Sequence, residues 1–393
     1  MNAEDWPVVS ALDGKPGTVL IGEYPERIFM APNAGSKRRG TAEPKALLPW
    51  FAAEVGPGCN DPWLLVGPLA WVCSSALSHS GLPSVAAQST PVLSADGLPF
   101  QYFKVGELGA RAYASLADVE QGKVARELEP DFIVGVSRIA HFADLDFGLT
   151  SKGTWIATEE LLPMKPSTFQ GVQLKGPSAA LAWVRRDGTT LYSAPGQKRI
   201  GALKRRAVVQ ILEETDYRSL HWLRIAEGQW LQSDSVQRPS AALPPSGLLA
   251  DERWIDVDLS AQILTAYQGS TAVFATLVST GRGAEGSELA TPKGAHRIWV
   301  KLRTTDMTNL ENEEAQRYYA IEDVPYVMYF QAGYGLHGAF WHDSFGEVRS
   351  HGCVNLAPRD AQWLFYWASP RLPNGWSAVL PDPHDQGTLI VVR

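Results

Sequence analysis

Apolar and polar positions alternate in short runs along most of this chain, and Gly, Pro and Asp separate the runs. FIVGVSRIA (132–140) and AVVQILEET (207–215) are examples, and runs of this length bounded by turn residues predict short β-strands. Near the C-terminus the pattern tightens. WIDVDL (254–259), QILTAY (262–267) and TAVFATLV (271–278) predict three successive strands, the second turn running through Gln268-Gly269-Ser270. ATPKGAHRIWVKLR (290–303), YVMYF (326–330) and GTLIVVR (387–393) predict further strands. Residues 304–325 are polar and acidic and read as a long connection, of the kind that serves as a lid over a cleft. One segment departs from period two. In LAPRDAQWLFYWA (356–368), Ala361, Leu364, Phe365 and Ala368 recur at helical spacing, and Pro358 suits the first helical turn. The expected class is mainly β with a short late helix.

The pattern also repeats. RIFMAP (27–32), RAYASL (111–116) and TLYSAP (190–195) each place an aromatic residue near a small-residue turn, and are followed by LAWVCSSAL (69–77), GTWIATEEL (153–161) and GQWLQSDSV (228–236). Three similar modules are expected, at 15–90, 98–165 and 178–238, with a separate unit at 250–393. The break before that unit is RPSAALPPSG (238–247), rich in Pro and Ser and without periodicity. Gly153-Thr154-Trp155-Ile156 and Gly228-Gln229-Trp230-Leu231 resemble the late strand of bacterial SH3-like domains. That resemblance implies small barrels of short strands. Each Trp reads first as a core residue, because large aromatics dominate core energetics; stacking on a ligand is the alternative.

Composition narrows the function. The 393 residues, 45% of them hydrophobic, suffice for several buried cores. The net charge of −7 and the scattered Lys and Arg give no basic face, so no nucleic-acid partner is expected. The longest apolar stretch, WLLVGPLAWVC (63–73), is broken at Gly67-Pro68 and falls short of the roughly 20 residues of a membrane span. The first fifteen residues include Glu4 and Asp5 and show no export signal. Of three cysteines, Cys59 lies in the turn-like GPGCNDP and Cys73 ends the strand-like LAWVC. A hairpin-like return would bring their Cα atoms within about 4.4–6.8 Å, so a disulfide is expected. The alternative is two reduced core thiols in a cytoplasmic protein. A bridge would fit an oxidising compartment, with Cys353 left free.

LHGAFWHDSFGEVRSHGCVNL (336–356) gathers His337, His342, His351 and Cys353. These are zinc-ligand types, but Cys353 and His351 stand too close together for the usual paired spacing, and no second cysteine or carboxylate completes a pattern. A structural thiol belongs in an apolar run, whereas Cys353 follows Ser350-His351-Gly352 in a turn between a strand and a helix. That position exposes the sulfur and lets backbone N–H groups converge, as a developing oxyanion requires. A nucleophilic thiol served by a histidine from a neighbouring segment is the favoured reading, with no metal and no cofactor.

His337-Gly338, followed by Ser350-His351-Gly352-Cys353-Val354-Asn355, resembles the signature of the L,D-transpeptidases, the YkuD-type catalytic domain. VSTGRG (278–283) and TPKG (291–294) match that family's upstream strands, and the likeness runs from Trp254 to the C-terminus. Twelve residues separate His337 from Ser350, fewer than in many members. The resemblance implies a β-rich catalytic domain after the three modules, with its short helix following the nucleophile. It makes Cys353 the nucleophile and His337 its base, with the other ring nitrogen held by a backbone carbonyl. His351 and Gly352, with the Cys353 N–H, would form the oxyanion pocket; the alternative for His351 is that it only orients the loop. Ser350 and Asn355 would brace the turn and, with Gly338, Tyr329 and Trp341, border the substrate. His342 reads as structural. The implied activity is peptidoglycan cross-linking: attack on a diaminopimelate carbonyl of a stem peptide, loss of D-alanine, and transfer to an amine to give a 3→3 link. Water as acceptor would make the site an L,D-carboxypeptidase, and a non-catalytic wall-binding protein is the reading from another class. The modules would meet the wall or a protein partner, and the implied location is the periplasm or cell envelope.

Overall fold

The computed structural model describes residues 17–82, 84, 95–174, 180–310 and 319–393. Regular structure in them is nearly all strand, with α-helices at Leu116–Glu120 and Pro358–Trp367. No helix among the described residues is long and apolar enough to cross a membrane.

The three repeats share a local structure. The strands Ala70–Cys73, Trp155–Ala157 and Gln229–Gln232 each run into a single 3₁₀ turn, at Ser74–Ala76, Thr158–Glu160 and Ser233–Ser235, and then into another short strand. Trp155 is buried, Trp71 and Trp230 are half-buried, and Trp63, Trp183 and Trp222 fill the cores nearby. The expected barrels do not close. Gly17–Ile21 lies in a three-stranded sheet, and the third repeat divides into sheets of three and five strands. Strand edges that a closed barrel would satisfy internally pair outward instead: Arg38–Ala42 runs antiparallel to Trp376–Val379, and Ile133 pairs with Ile321. The N-terminal modules are thereby built into the C-terminal unit.

Cys59 and Cys73 form a disulfide with Cα atoms 5.6 Å apart, because Cys73 pairs with Trp63 across a hairpin while Cys59 sits in the turn leading into that hairpin. Closing a loop of this size stabilises the first module by about 3 kcal/mol in the chain-entropy picture. Thiol titration of denatured, unreduced protein is expected to find one reactive thiol, and three after reduction. Three before reduction would remove the bridge.

In the C-terminal unit the strands are β1 (Arg253–Asp258), β2 (Ile263–Gln268), β3 (Thr271–Leu277), β4 (Gly294–Arg297), β5 (Val300–Thr308), β6 (Ala320–Gln331), β7 (Tyr334–Gly338), β8 (Val354–Leu356), β9 (Trp376–Val379) and β10 (Leu389–Val392). One sheet has the order Val172–Gln173, β3, β2, β1, β10, β4, with β1 parallel to β10. In the other, β5, β6 and β7 are successive antiparallel neighbours, and β8 lies parallel to β7. Ile255, Leu264, Met328, Leu336, Val354, Leu364 and Phe365 join both sheets and the helix in one core. Burial along β1 and β2 is almost continuous, as expected of strands covered on both faces. Trp183 packs with Ile263, Ala275 and Leu277, outside that main core.

The long connection expected at 304–325 is a correction. β5 and β6 pair from Val300–Tyr329 to Thr308–Ala320, so 304–308 and 320–325 are strand. The connection narrows to 309–319, of which 311–318 lie outside the described residues, so the lid expectation falls largely there. This strand end is polar because the second module meets it: Arg126 pairs with Glu322 at 2.7 Å, Lys152 with Asp306 at 2.9 Å, and the Tyr102 hydroxyl donates to the Asp323 carbonyl at 2.6 Å. Charges that find partners in a distant module look like a loop in the sequence.

The helix is held at both ends. Pro358 occupies its first turn, and Asp360 accepts the Gly171 N–H at 2.9 and 3.0 Å and the Thr276 hydroxyl. Burial pushes the Asp360 carboxyl up to about 7. At the other end the fully buried Lys301 ammonium donates to the carbonyls of Phe365 and Ala368, where the helix dipole favours a cation.

Candidate active site

His337 lies on β7, and Cys353 stands one residue before β8. The parallel register sets Leu336 beside Val354 and His337 beside Asn355, which brings the two segments together. His337 is fully buried, and its Nδ1 lies 3.2 Å from the Gly338 carbonyl. A carbonyl only accepts, so Nδ1 carries the proton and Nε2 keeps its lone pair. Burial pushes the imidazole down to about 4, leaving it neutral at neutral pH. Trp341 stacks over it with ring centres 5.7 Å apart.

Cys353 is half-buried, and its sulfur donates to the Gly333 carbonyl at 3.8 Å. Burial raises the thiol above its ordinary value, opposed by the Gly335 N–H. The resting pair is therefore a thiol and a neutral imidazole. Because the raised thiol releases its proton only at high pH, alkylation of Cys353 by iodoacetamide is expected to rise about tenfold per pH unit through neutrality without levelling. A rate already flat from pH 6 to 8 would mean a preformed thiolate.

The turn before Cys353 is fixed by four neighbours. Ser350 Oγ accepts the Gly352 N–H at 3.1 Å and donates to the Cys353 carbonyl, and Thr291 Oγ1 donates to the Gly352 carbonyl at 2.8 Å. Gly352 has φ +120°, and a Cβ there would lie 2.3 Å from the Tyr334 ring and 3.1 Å from the Ala290 carbonyl oxygen. Only glycine fits. The Gly352 N–H, expected in the oxyanion pocket with His351 and the Cys353 N–H, is bonded to Ser350 Oγ in this structure. Residues 279–282 run alongside: Ser279 exchanges backbone bonds with Asn355 at 3.0 and 2.9 Å, and the Ser350 N–H reaches the Thr280 carbonyl at 3.0 Å.

Three residues expected to border the substrate face inward. Gly338 is packed between Pro325 and Ala361 and contributes its carbonyl to His337. Ser350 is 7% exposed and Asn355 4%. The Asn355 amide faces His342 Nε2 at 2.9 Å, while His342 Nδ1 accepts the Ser344 N–H at 3.1 Å, so His342 is an interior bracket. Tyr329 and Trp341 are half-buried, with Trp341 against His337. Burial, and then the nearness of Cys353, pushes the Tyr329 hydroxyl up to about 12.

His351 is exposed, stacked on Tyr319 at 5.9 Å, with an Arg282 nitrogen 2.9 Å from its Nε2. Arginine only donates, so this imidazole is neutral with its proton on Nδ1. Burial and then Arg282 lower its pKa. The third module grips the rim from outside: Arg206 pairs with Asp343 at 2.6 Å and Arg205 with Glu347 at 2.9 Å. Sequence reasoning missed Tyr319, Tyr334, Thr291 and Arg282 as parts of the site. Arg282 and Thr291 lay within VSTGRG and TPKG, while Tyr319 was hidden in the segment read as a connection.

A thiol, a buried neutral base and a tightly constrained turn are the equipment for accepting an acyl group on sulfur. Residues 252–392 match the YkuD family, described as the L,D-transpeptidase catalytic domain. No curated protein matches the chain. Among solved structures, an L,D-transpeptidase from Xylanimonas cellulosilytica is 21% identical over 38% of this chain and 64% of its own, with a TM-score of 0.26. One from Enterococcus faecium is 22% identical over 36% and 50%, TM-score 0.27, and one from Mycobacterium smegmatis is 16% identical over 66% and 93%, TM-score 0.27. The chain thus spans less than two thirds of the first two. Residues 252–392 are thus similar, by the family match, to the YkuD-type L,D-transpeptidase catalytic domain.

Proposed function

We propose that the protein is a peptidoglycan L,D-transpeptidase that forms 3→3 cross-links through a thioester on Cys353. The observation that carries this is the pairing of a half-buried thiol, set behind a glycine that no other residue can replace, with a neutral imidazole whose free nitrogen is Nε2.

Cys353 Sγ attacks the carbonyl carbon of the diaminopimelate residue of a donor stem, and its proton passes to His337 Nε2. The tetrahedral intermediate collapses as the C–N bond to D-alanine breaks and the imidazolium returns the proton to the departing amine. An amine of a second stem then attacks the thioester, loses a proton to His337, and the sulfur leaves as the thiol. Burial holds the base down near 4 and pushes the thiol up, and both shifts oppose forming the ion pair first. Proton transfer is accordingly coupled to C–S bond formation. The N–H of Cys353 is assigned to the oxyanion, and Tyr329 and Trp341 to the donor cleft. The disulfide fits an oxidising compartment and supports an envelope location.

Incubation with purified sacculi followed by mass analysis of muropeptides tests this. New 3→3 dimers, absent with Cys353→Ala, are expected. Shortened stems alone would assign water as the acceptor, and an unchanged profile would overturn the reading.

A further inference from the structure

Arg282 follows Gly281 in the segment that runs beside the nucleophile turn. Its N–H donates to the Ser350 carbonyl at 3.1 Å, and Gly281 bridges to Ser350, so its backbone is fixed alongside the turn leading to Cys353. The side chain is exposed, and one terminal nitrogen donates to His351 Nε2 at 2.9 Å. A guanidinium has five N–H donors in a planar fork. Among the described residues no ion pair engages this one, whereas Arg205 and Arg206, on the third module, are matched by Glu347 and Asp343. An exposed arginine is usually a solvated surface charge. Arg282 differs because its fork is held: His351, which receives its bond, is itself stacked on Tyr319.

The substrate class proposed above brings carboxylates to this place. The residue that leaves on acylation is joined through its nitrogen and Cα to the scissile carbonyl, so its terminal carboxylate travels close to the attacking sulfur. A planar fork is the side chain that matches a carboxylate with two parallel bonds. We infer that Arg282 is the receptor for the C-terminal carboxylate of the donor stem, a specificity-determining residue of the reaction proposed above, on which this inference rests.

The test uses the full chain carrying Cys353→Ala, so that binding is read without turnover, and two stem tetrapeptides, one ending in a free acid and one in a carboxamide. Calorimetry is expected to show the acid bound about tenfold more tightly, the scale of one bond to a charged group. Arg282→Gln should erase the difference, and Arg282→Lys should restore part of it. In the parent protein, Arg282→Gln should leave iodoacetamide alkylation of Cys353 unchanged, which a merely structural role in the turn would not. Equal binding of acid and amide, binding of neither, or equal losses for both in Arg282→Gln would overturn the assignment. Acid-selective binding by a protein that leaves sacculi unchanged would sustain Arg282 and sink the reaction. Cross-linking without acid preference would do the reverse.

Discussion

Cys353→Ala is expected to abolish covalent labelling by a carbapenem, and His337→Ala to slow it by roughly 10²–10⁴. The strained amide of the drug opens on attack, and no fragment need leave, so intact-mass measurement should find the parent protein heavier by one whole drug molecule. The size of the histidine effect follows from the resting state. Burial holds Cys353 as a thiol, and the Nε2 lone pair of His337, on the strand beside it, is the base proposed to take its proton as the C–S bond forms. Raising the pH should recover part of the rate in His337→Ala, because hydroxide replaces the missing base. Wild-type protein that stays unmodified after prolonged exposure, or equal labelling of Cys353→Ala, would remove the nucleophile assignment.

Gly352→Ala should come next in effect, lowering the same labelling rate by about 10²–10³ while the disulfide and the strand content persist. A methyl group at this position meets the Tyr334 ring at 2.3 Å, and that ring is anchored by its hydroxyl to the Glu288 carbonyl at 3.0 Å. The φ of +120° is strained for any L side chain even if the ring yields. The turn must therefore shift, and a misplacement of about 1 Å at a reacting atom is enough for a hundredfold loss. Tyr334→Ala in the same chain opens the space but leaves the backbone strain, so the double variant should regain melting temperature and not rate. An unimpaired Gly352→Ala would show that the turn geometry does not matter to the sulfur.

The features legible in the sequence were those written in neighbouring residues. β1, β2 and β3 announce themselves through apolar runs and tight turns, and the helix through Pro358 and the spacing of Ala361, Leu364 and Phe365. The disulfide was readable because a turn and a strand end happen to flank its two cysteines. Cys353 stood out by its turn, and His337 only through the family resemblance. What distant segments decide stayed hidden. The polar ends of β5 and β6 are strands because Arg126 and Lys152 answer their charges, and strands of the first two modules find partners in the C-terminal unit. The inward aim of Ser350 and Asn355 likewise depends on Ser279 and Thr280, far away in the sequence, and on His342 within the segment.

The antiparallel pairing of β9 with Arg38–Ala42, and of β3 with Val172–Gln173, bears on any attempt to isolate the catalytic part. A fragment cut at the linker would carry both Cys353 and His337, yet each of the two strands would present a bare row of N–H and C=O groups to water. Such rows recruit any compatible chain, and in a concentrated solution the most abundant one is another copy of the same fragment. The segments upstream of the linker therefore act as edge guards for these two strands.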